Sequence, residues 1–489
     1  MDTAAQGLTA QEICYLPVSD LLAHYRSGAL APSDVLEAQI ARTEELNGAV
    51  GAVADRHYGQ ARAAAAESDA RYAAGTQRPL EGITVALKEE HPVAGEPLRL
   101  GSTVLVPEIP SAGHPIVDRI QAAGAVVHLR TTTPELCCAG YTRSDLWGVT
   151  RSPWNTAYSS GGSSGGSGAA LAAGMTTLAT GSDIAGSIRI PAAFNGVVGY
   201  KAPYGRVPAP APMNLDTYCH DGAMARTVQD CVLLHDAIAG QWSHDMVSVP
   251  GAAIGGIGDG DLAGLTVGVA RTLGEHPVAA DVARGLEQAA EALRVRGAET
   301  VDLGFDWSTG ELTRAAFAHY GTVMAPMVRQ LFGDRFAEAQ SYTRDFVAVA
   351  ERCLAEVGTY AAVLAETRVQ EDFAEAFTRV DALICPSSMI PALEADNDYT
   401  DLSVDVDGTA VDLVHHLQIP LTIPFNMASR LPVFAVQSGI AATGVPTSVQ
   451  VAAPAYAERL AARVAHAVET ARPWYRDDAW TPQSIRPPR

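Results

Sequence analysis

Apolar residues recur at helical spacing over most of the first 75 residues of the chain. In the segment that follows Asp34, the aliphatic side chains of Val35, Leu36 and Ile40 fall close to one face of a helix. An alanine-rich run, ARAAAAESDARYAAG, comes next and ends in a glycine, the residue that commonly terminates a helix. The pattern therefore predicts a helical N-terminal part over residues 1–78.

The spacing changes to a period of two after residue 82. In the run GITVALKE, every second residue from Ile83 to Leu87 is a large aliphatic one, as in a β-strand. Lys88 comes at the end of this alternation. The pattern predicts a lysine at the carboxyl end of a strand that is otherwise built from small and apolar residues.

A helix followed by a strand recurs in HPIVDRIQAAGAVVHLR, where Gly124 ends the helix and residues 125–129 form the strand. Residues 310–380 are helical in pattern, and residues 381–489 bring short strands back in DALICP, VFAVQSGI and TSVQVAAP. Alternating units of this kind predict an α/β fold, with helices on the faces of a sheet. Since no internal repeat or linker interrupts the pattern, we expect one large domain over residues 1–489.

Composition narrows the class of protein. The chain is 47% hydrophobic and only 18% charged, which is typical of a globular protein with a large core. The formal net charge is −21, and an acidic surface opposes nucleic-acid binding, because that binding needs clustered cations. The seven cysteines form no C-x-x-C pair, and no N-terminal signal peptide or long apolar run is evident. We therefore expect a cytoplasmic protein with no disulfide framework, no metal site and no membrane span.

The tract GGSSGGSG at residues 161–168 raises three alternatives. Glycine-serine tracts are often flexible linkers. A phosphate-binding loop also starts from such glycines, but Ser167 stands where that loop needs its lysine. The nucleophile-elbow pattern G-x-S-x-G occurs around Ser163 and Ser164, with His220 as a partner nearby in the sequence, yet no buried strand precedes it. On the tract alone, the linker and the elbow both stay open.

A second loop of small residues follows the tract. The pattern predicts a helix over residues 169–173, a strand over residues 175–179 and then the loop GSDIAGSIRIP. Consecutive backbone N–H groups over residues 184–187 could stabilise an oxyanion, the charge that develops when a nucleophile attacks a carbonyl carbon. Two serine-bearing glycine loops, with a lysine on an earlier strand, indicate nucleophilic catalysis.

In these segments the chain resembles the amidase signature family of serine hydrolases. The resemblance covers residues 161–208, the defining segment of that family, and extends to PLEGITVALKE around Lys88 and to residues 222–240. It implies an α/β/α sandwich with a large, mixed, twisted central sheet flanked by helices. It also implies that residues 79–240 form the signature core with the catalytic residues, and that residues 310–380 shape the substrate site.

The resemblance implies a role for each residue of a catalytic triad. Ser187 is the expected nucleophile, Ser163 the bridge that follows a cis peptide bond, and Lys88 the base. Lys88 accepts a proton only when it is neutral, so we expect burial among apolar neighbours to lower its pKa. The rate should then rise with pH as Lys88 loses its proton.

The same resemblance implies an oxyanion hole and a set of supporting residues. The expected oxyanion donors are the N–H groups of Ile184, Ala185, Gly186 and Ser187. Asp183 and Arg189 are expected to brace the loop by hydrogen bonds or an ion pair. Ser164 either supports the site or caps the following helix. No cofactor is implied.

The chain departs from the pattern of the family at several positions. Ala185 occupies a position that is commonly glycine, and Glu89 and Glu90 follow Lys88 in place of the frequent Asp-Asn. Asn195 stands where many members carry cysteine, and residues 445–450 differ from the usual strand. We therefore expect the acyl-transfer core to be kept and the charge near the base to differ.

The sequence is consistent with three functions. The first is a free-standing hydrolase, a monomer or homodimer, that cleaves small-molecule amides, and carbamates (urethanes) or esters by the same route. The second is the A subunit of a tRNA-dependent glutamine amidotransferase, although Ile190 replaces the glutamine usual there. The third is a catalytically inactive binding protein, which the presence of all three triad residues opposes. Residues 120–150, 205–220, 310–380 and 425–435 are expected to shape the pocket, and they leave the substrate open.

Overall fold

The fold is organised around one large mixed β-sheet. A computed structural model describes residues 7–258 and 260–474. Within this part of the chain, eleven strands form the sheet in the order β1-β3-β2-β6-β8-β7-β14-β15-β11-β9-β10. Two small two-stranded sheets, β4-β5 and β12-β13, lie outside it. The strands are β1 (Val53–Arg56), β2 (Thr84–Lys88), β3 (Val126–Thr131), β4 (Arg143–Ser144), β5 (Gly148–Val149), β6 (Leu178–Asp183), β7 (Val198–Lys201), β8 (His220–Ala225), β9 (Thr266–Ala270), β10 (Glu299–Leu303), β11 (Ala382–Pro386), β12 (Ser403–Val406), β13 (Thr409–Asp412), β14 (Val433–Ile440) and β15 (Pro446–Ala452).

Strand pairing makes the sheet mixed. β2 runs parallel to β3 and to β6, and β9 runs parallel to β10 and to β11. The middle of the sheet, from β6 through β8, β7, β14 and β15 to β11, is antiparallel. Because β2 and β6 are parallel neighbours, the residues at their carboxyl ends meet at one edge of the sheet. Lys88 and Asp183 are the last residues of these two strands.

Helices cover both faces of the sheet. They are α1 (Ala10–Tyr15), α2 (Val18–Ser27), α3 (Pro32–Val50), α4 (Tyr58–Ala74), α5 (Pro115–Ala122), α6 (Gly165–Ala172), α7 (Arg189–Asn195), α8 (Val228–Ile238), α9 (Ala280–Val295), α10 (Thr309–Tyr320), α11 (Met324–Phe332), α12 (Ser341–Val357), α13 (Thr359–Ala376), α14 (Ile423–Met427) and α15 (Glu458–Glu469).

Alternating side chains of the strands show how the two faces are filled. In β11, Ala382 and Ile384 join the apolar core that contains α8, α9 and α15, whereas Leu383 and Cys385 join the core of α10 to α13. Successive residues of a strand point to opposite faces, so each central strand contributes to two cores. The structure confirms the predicted α/β architecture, a large mixed sheet flanked by helices.

Several predicted elements have different bounds. The N-terminal part includes a short edge strand, β1, that the helical pattern did not predict. The helix expected over residues 169–173 begins four residues earlier, inside the glycine tract, as α6. The strand expected over residues 175–179 is β6, which starts and ends later. The residues of the tract are small enough for a helix to pack closely against other backbone. The low helix propensity of glycine alone does not predict a helix there.

The region of residues 310–380 is helical, as its pattern predicts. α10, α12 and α13 pack on one another, and α10 also contacts α14. Their buried side chains include Phe317, Tyr320 and Phe346, whose rings are in contact. Within residues 7–258 and 260–474, no helix is both long and apolar enough to cross a bilayer.

Candidate active site

Lys88 and Ser163 meet at the carboxyl end of β2. Lys88 Nζ lies 2.7 Å from Ser163 Oγ, although the two residues are 75 positions apart in the chain. Both residues are completely buried. The Gly162–Ser163 peptide bond is cis, as the resemblance implied. The structure thus brings together two of the three predicted catalytic residues.

The glycine tract is a packed wall of this site. Residues 161–168 are all buried, so the tract is not a solvated linker. A Cβ atom added to Gly162 would lie 2.5 Å from the Tyr141 carbonyl oxygen, and one added to Gly166 would lie 2.7 Å from the Ala52 carbonyl oxygen. Glycine is needed at these two positions because other backbone approaches closely.

Ser164 and Ser187 connect the tract to the second loop. The Ser164 N–H donates to the Ser187 carbonyl oxygen at 3.2 Å, which brings the predicted nucleophile beside the residue that follows Ser163. Ser164 occupies the N-cap position of α6, yet its side chain makes no capping hydrogen bond. Its hydroxyl instead exchanges two 3.3 Å hydrogen bonds with the backbone of Ser182. Of the two expectations for Ser164, the geometry favours support of the site.

The loop after β6 leaves three backbone N–H groups without an acceptor. Among the described residues, those of Ile184, Ala185 and Ser187 donate to no protein group. The Gly186 N–H differs, since it donates to Asp183 Oδ1 at 2.8 Å. The structure therefore commits one of the four predicted oxyanion donors to bracing the loop. The oxyanion hole stays a prediction for the other three.

A buried ion pair shapes this loop. Arg189 Nη2 lies 2.9 Å from Asp183 Oδ1, and neither side chain is exposed. Burial alone would raise the pKa of Asp183, but the Arg189 guanidinium outweighs burial and holds it well below the usual range. Asp183 Oδ2 also accepts from the Ile188 N–H at 3.3 Å. The two side chains are in contact with each other and with the loop backbone, the arrangement that the resemblance implied.

More distant segments complete this brace. Arg189 donates to Asn426 Oδ1 and to Gln450 Oε1, both at 2.7 Å. The Thr422 hydroxyl donates to the Ala185 carbonyl oxygen at 2.5 Å, and the Tyr320 hydroxyl donates to that of Ile184 at 3.0 Å. These contacts hold the carbonyl groups of Ile184 and Ala185 in hydrogen bonds to side chains outside the loop.

The structure contradicts the expected charge of Lys88. Glu90 Oε1 lies 3.1 Å from Lys88 Nζ. Burial opposes the ammonium form, but the Glu90 carboxylate favours it, and the pKa of Lys88 lies above its ordinary value. Burial raises the pKa of Cys137 itself to about 12, so the anion that faces Lys88 is Glu90. The prediction that burial lowers the pKa of Lys88 is therefore wrong for the resting protein, because a carboxylate accompanies the ammonium.

Two polar residues near the base, Ser182 and Cys137, were not predicted from the sequence. Ser182 Oγ lies 2.7 Å from Lys88 Nζ, and Cys137 donates its thiol hydrogen to the Glu90 carboxylate. Glu90 carried a signal, since it follows Lys88 by two residues and departs from the family pattern. Ser182 had only its place in the loop motif, and Cys137 had none, because its approach depends on the fold.

A cavity of about 230 Å³ opens beside the site. One end is polar and includes Glu90 and Ser182, and the loop residue Ile184 lines it as well. The remaining wall is largely apolar: Pro92, Leu100, Leu136, Pro210, Ala211, Met213, Met324, Met327 and Leu331. Among its described lining residues there is no arginine or lysine. The cavity suits a compact, mostly apolar group.

A row of buried side chains continues from Glu90 along the polar end. His91 Nε2 lies 2.9 Å from Asp221 Oδ1, and His114 Nε2 lies 3.3 Å from Asp221 Oδ2. These are zinc-ligand types and their atoms lie within 4.8 Å of one another. However, His114 Nδ1 accepts the Ile116 N–H at 3.4 Å, so Nε2 carries the hydrogen and donates to Asp221. The geometry favours a hydrogen-bonded row over a metal site.

The elbow alternative lacks its partner. His220 does not bond to the carboxylate that follows it, since His220 Nδ1 lies 2.7 Å from the Tyr218 carbonyl oxygen and Nε2 lies 3.1 Å from that of Ser429. Neither ring nitrogen faces Ser163. The linker and the elbow are therefore both disfavoured by the structure.

The environment of His319 predicts that the stability of the protein depends on pH. Burial lowers its pKa, but hydrogen bonds to Asp216 and Glu366 outweigh burial and raise it to about 9 from 6.5. A raised folded-state pKa contributes stability that is fully present below pH 6.5 and is lost as the pH rises through about 9. We expect the free energy of unfolding to fall across this window by an amount on the order of 3 kcal/mol.

Denaturant unfolding at both ends of that window checks this expectation. His319→Gln should remove the fall, while His244→Gln, at an exposed turn, should leave it in place. An equal fall in wild type and His319→Gln would contradict the assignment.

The chain is similar in sequence and in structure to known proteins. The Amidase family model matches residues 34–461. The chain is 30% identical over 498 residues to the A subunit of the glutamyl-tRNA(Gln) amidotransferase of Geobacter metallireducens, with 96% of this chain and 99% of that protein covered.

Two solved structures are similar over nearly the whole chain. A bacterial aryl acylamidase of the amidase signature family superimposes with a TM-score of 0.87 at 22% identity, covering 96% of this chain and 99% of that one. A 6-aminohexanoate cyclic dimer hydrolase in complex with substrate gives a TM-score of 0.81 at 26% identity, covering 97% and 100%. The protein therefore belongs to the amidase signature family of enzymes that act on C–N bonds.

Proposed function

We propose that the protein hydrolyses amide bonds of small molecules through a covalent acyl-enzyme on Ser187. The observation that carries this proposal is the buried 2.7 Å contact between Lys88 Nζ and Ser163 Oγ. It lies beside the backbone contact of Ser164 with Ser187 and beside a loop in which the N–H groups of Ile184, Ala185 and Ser187 have no acceptor among the described residues. A base, a hydroxyl relay, a nucleophile and oxyanion donors are the parts that acyl transfer needs.

The chemistry follows from these positions. Ser187 Oγ attacks the carbonyl carbon while its proton passes to Ser163, and the proton of Ser163 passes to Lys88 Nζ. The N–H groups of Ile184, Ala185 and Ser187 stabilise the oxyanion that forms. The C–N bond then breaks, and the amine leaves with the proton returned through Ser163. Water hydrolyses the resulting ester along the same route, which frees Ser187.

The cavity supports a particular class of acyl or amine group. Its walls are apolar around Leu136, Met213 and Met324, and its polar end is acidic at Glu90. An apolar or aryl amide fits such walls without leaving a charge unpaired. Carbamates and esters undergo the same attack on a carbonyl carbon, so they are included as slower or alternative substrates.

The second candidate is the A subunit of a tRNA-dependent amidotransferase. The 30% identity over nearly the full length of the Geobacter metallireducens protein favours it. That enzyme class takes its nitrogen from glutamine, whose α-carboxylate would need a cation. The described cavity lining offers neither arginine nor lysine. We therefore place the free-standing hydrolase first.

The purified chain separates the two candidates. We expect it to release the chromophore from small aryl anilides by itself, without ATP, tRNA or a partner protein, and to leave glutamine unchanged. A panel that varies the acyl size and the leaving group measures this by absorbance, with ammonia release from glutamine followed in parallel. Release of ammonia from glutamine only when partner proteins are added would establish the second candidate instead.

A further inference from the structure

The base of this site is held as one half of a pair. Lys88 Nζ faces three acceptors, the hydroxyls of Ser163 and Ser182 at 2.7 Å and Glu90 Oε1 at 3.1 Å. An ammonium group has three N–H donors and no lone pair; here it donates to the two serine hydroxyls and forms an ion pair with the Glu90 carboxylate. In that state Lys88 cannot accept a proton from Ser163. In the resting geometry Lys88 is therefore well solvated by its neighbours but cannot act as a base.

We propose that Glu90 is a positioning residue that takes a proton from Lys88 at the start of each turnover and returns it afterwards. The proposal rests on the proposed function, since it explains how Lys88 becomes the base of that reaction. Glu90 lies at the polar end of the cavity, with its side chain only 18% exposed. A substrate that fills the cavity displaces water from this carboxylate.

The proton balance is closed within the pair. The Lys88 Nζ–H bond breaks and a Glu90 Oε1–H bond forms, which converts ammonium and carboxylate into amine and carboxylic acid. The net charge does not change. Nζ then turns about the Cε–Nζ bond, so that its lone pair faces Ser163 Oγ and accepts the proton that Ser163 releases. Loss of water from the cavity favours this step, because a less polar surrounding penalises two charges more than none.

The groups around Glu90 keep it as a carboxylate until then. Cys137 donates its thiol hydrogen to Oε2, and the thiol stays neutral since burial raises the pKa of Cys137 to about 12. His91 Nε2 lies 3.9 Å from Oε1. Burial opposes the carboxylate, but Lys88 and His91 outweigh burial and lower the pKa of Glu90.

Two further acidic groups face the pair from other elements. Asp221 on β8 raises the proton affinity of Glu90, but its own carboxylate is engaged by His91 and His114. Cys219, which lines the cavity, remains a thiol because burial raises its pKa well above the ordinary value. Glu90 is thus the carboxylate in contact with Lys88 Nζ that is able to take the proton.

This mechanism predicts which protonation state is active. When Lys88 and Glu90 share one proton, the pair can supply a neutral amine. It cannot do so once a second proton is bound, because Lys88 is then an ammonium and Glu90 a carboxylic acid. The fall in rate at acid pH in wild type then reports the protonation of Glu90. In Glu90→Gln the amide cannot take a proton, so the acid limb follows Lys88 alone and moves upward by at least about one pH unit.

The experiment measures kcat/KM on an anilide from acid to alkaline pH for wild type, Glu90→Gln and Glu90→Asp. The rate at which a serine-directed phosphonate labels the protein serves as a second readout that needs no substrate. Glu90→Asp keeps a carboxylate and should keep its acid limb close to that of wild type, even if its rate is lower. Glu135→Gln is the matched control, because Glu135 is buried and hydrogen-bonds to Ser102 and Gln340, not to Lys88.

An upward shift in Glu90→Gln alone supports the proposal. A downward shift would overturn it, because it would make Glu90 a static counter-ion that only holds Lys88 charged. An unchanged limb would overturn it as well. If wild type itself shows neither turnover nor labelling, the proposed function fails, and that result differs from a shift between active variants. Should Glu90→Gln fail to fold, Glu90→Ala takes its place, because it also removes the carboxylate that takes the proton and should show the same upward shift.

Discussion

Replacing Ser187 by alanine is expected to lower kcat/KM on an anilide by at least about 10⁴-fold while the protein keeps its fold. The side chain is only 4% exposed and carries the oxygen that would form the acyl bond. Its removal leaves the loop backbone in place, because that loop is braced by Asp183 and not by the Ser187 hydroxyl. The loss should therefore lie in the chemical step.

Mass spectrometry after phosphonate treatment tests which serine is the nucleophile. Wild type should carry the label on Ser187, and Ser187→Ala should carry none. Ser163→Ala should also lose activity, since its hydroxyl contacts Lys88. Ser167→Ala is the matched control in the same tract, because its hydroxyl bonds to Thr131 and Thr180 instead. A label on Ser163 in wild type would restore the nucleophile elbow and overturn the proposed function.

Replacing Arg189 by methionine is expected to have the second largest effect. The change leaves the Asp183 carboxylate buried without its cation, which typically costs about 3–5 kcal/mol of unfolding free energy. We also expect kcat/KM to fall by at least about 100-fold, because the oxyanion donors lose their orientation. Arg189→Lys should recover only part of both losses, since a single ammonium cannot reach acceptors on four residues.

Lys201→Met is the control for this experiment. Lys201 is completely buried, and burial lowers its pKa well below the ordinary value, so little charge is removed. Its Nζ donates to the carbonyl oxygens of Ser429 and Leu431, and it forms no ion pair among the described residues. Urea unfolding should show a clearly smaller loss for Lys201→Met. Equal losses of unfolding free energy in the two variants, or full activity in Arg189→Met, would show that Arg189 does not brace the loop.

Together these variants divide the site by its physical parts. Ser187 tests the bond that forms, Arg189 tests the shape of the loop, and Glu90 tests the protonation of the base. Each part produces a different measurable change, namely a rate, an unfolding free energy and a pH profile. The partner-independent activity of the whole chain is measured separately and does not depend on any of the three.

Local sequence determined much of this protein. The alternation that ends at Lys88 predicted β2 correctly, because the side-chain period of a strand is visible in a few consecutive residues. The brace between Asp183 and Arg189 was implied by the family resemblance, and the two side chains are in contact in the structure. The α/β architecture followed from the repeated helix-to-strand pattern.

The tertiary structure decided what surrounds these residues. Cys137 reaches Glu90 across 47 positions, and Asn426 reaches Asp183 across 243, so neither contact has a local signal. The charge of Lys88 was mispredicted for the same reason. Burial and a neighbouring carboxylate shift a lysine pKa in opposite directions, and only the distance between Nζ and Glu90 in the folded chain decides which of them prevails.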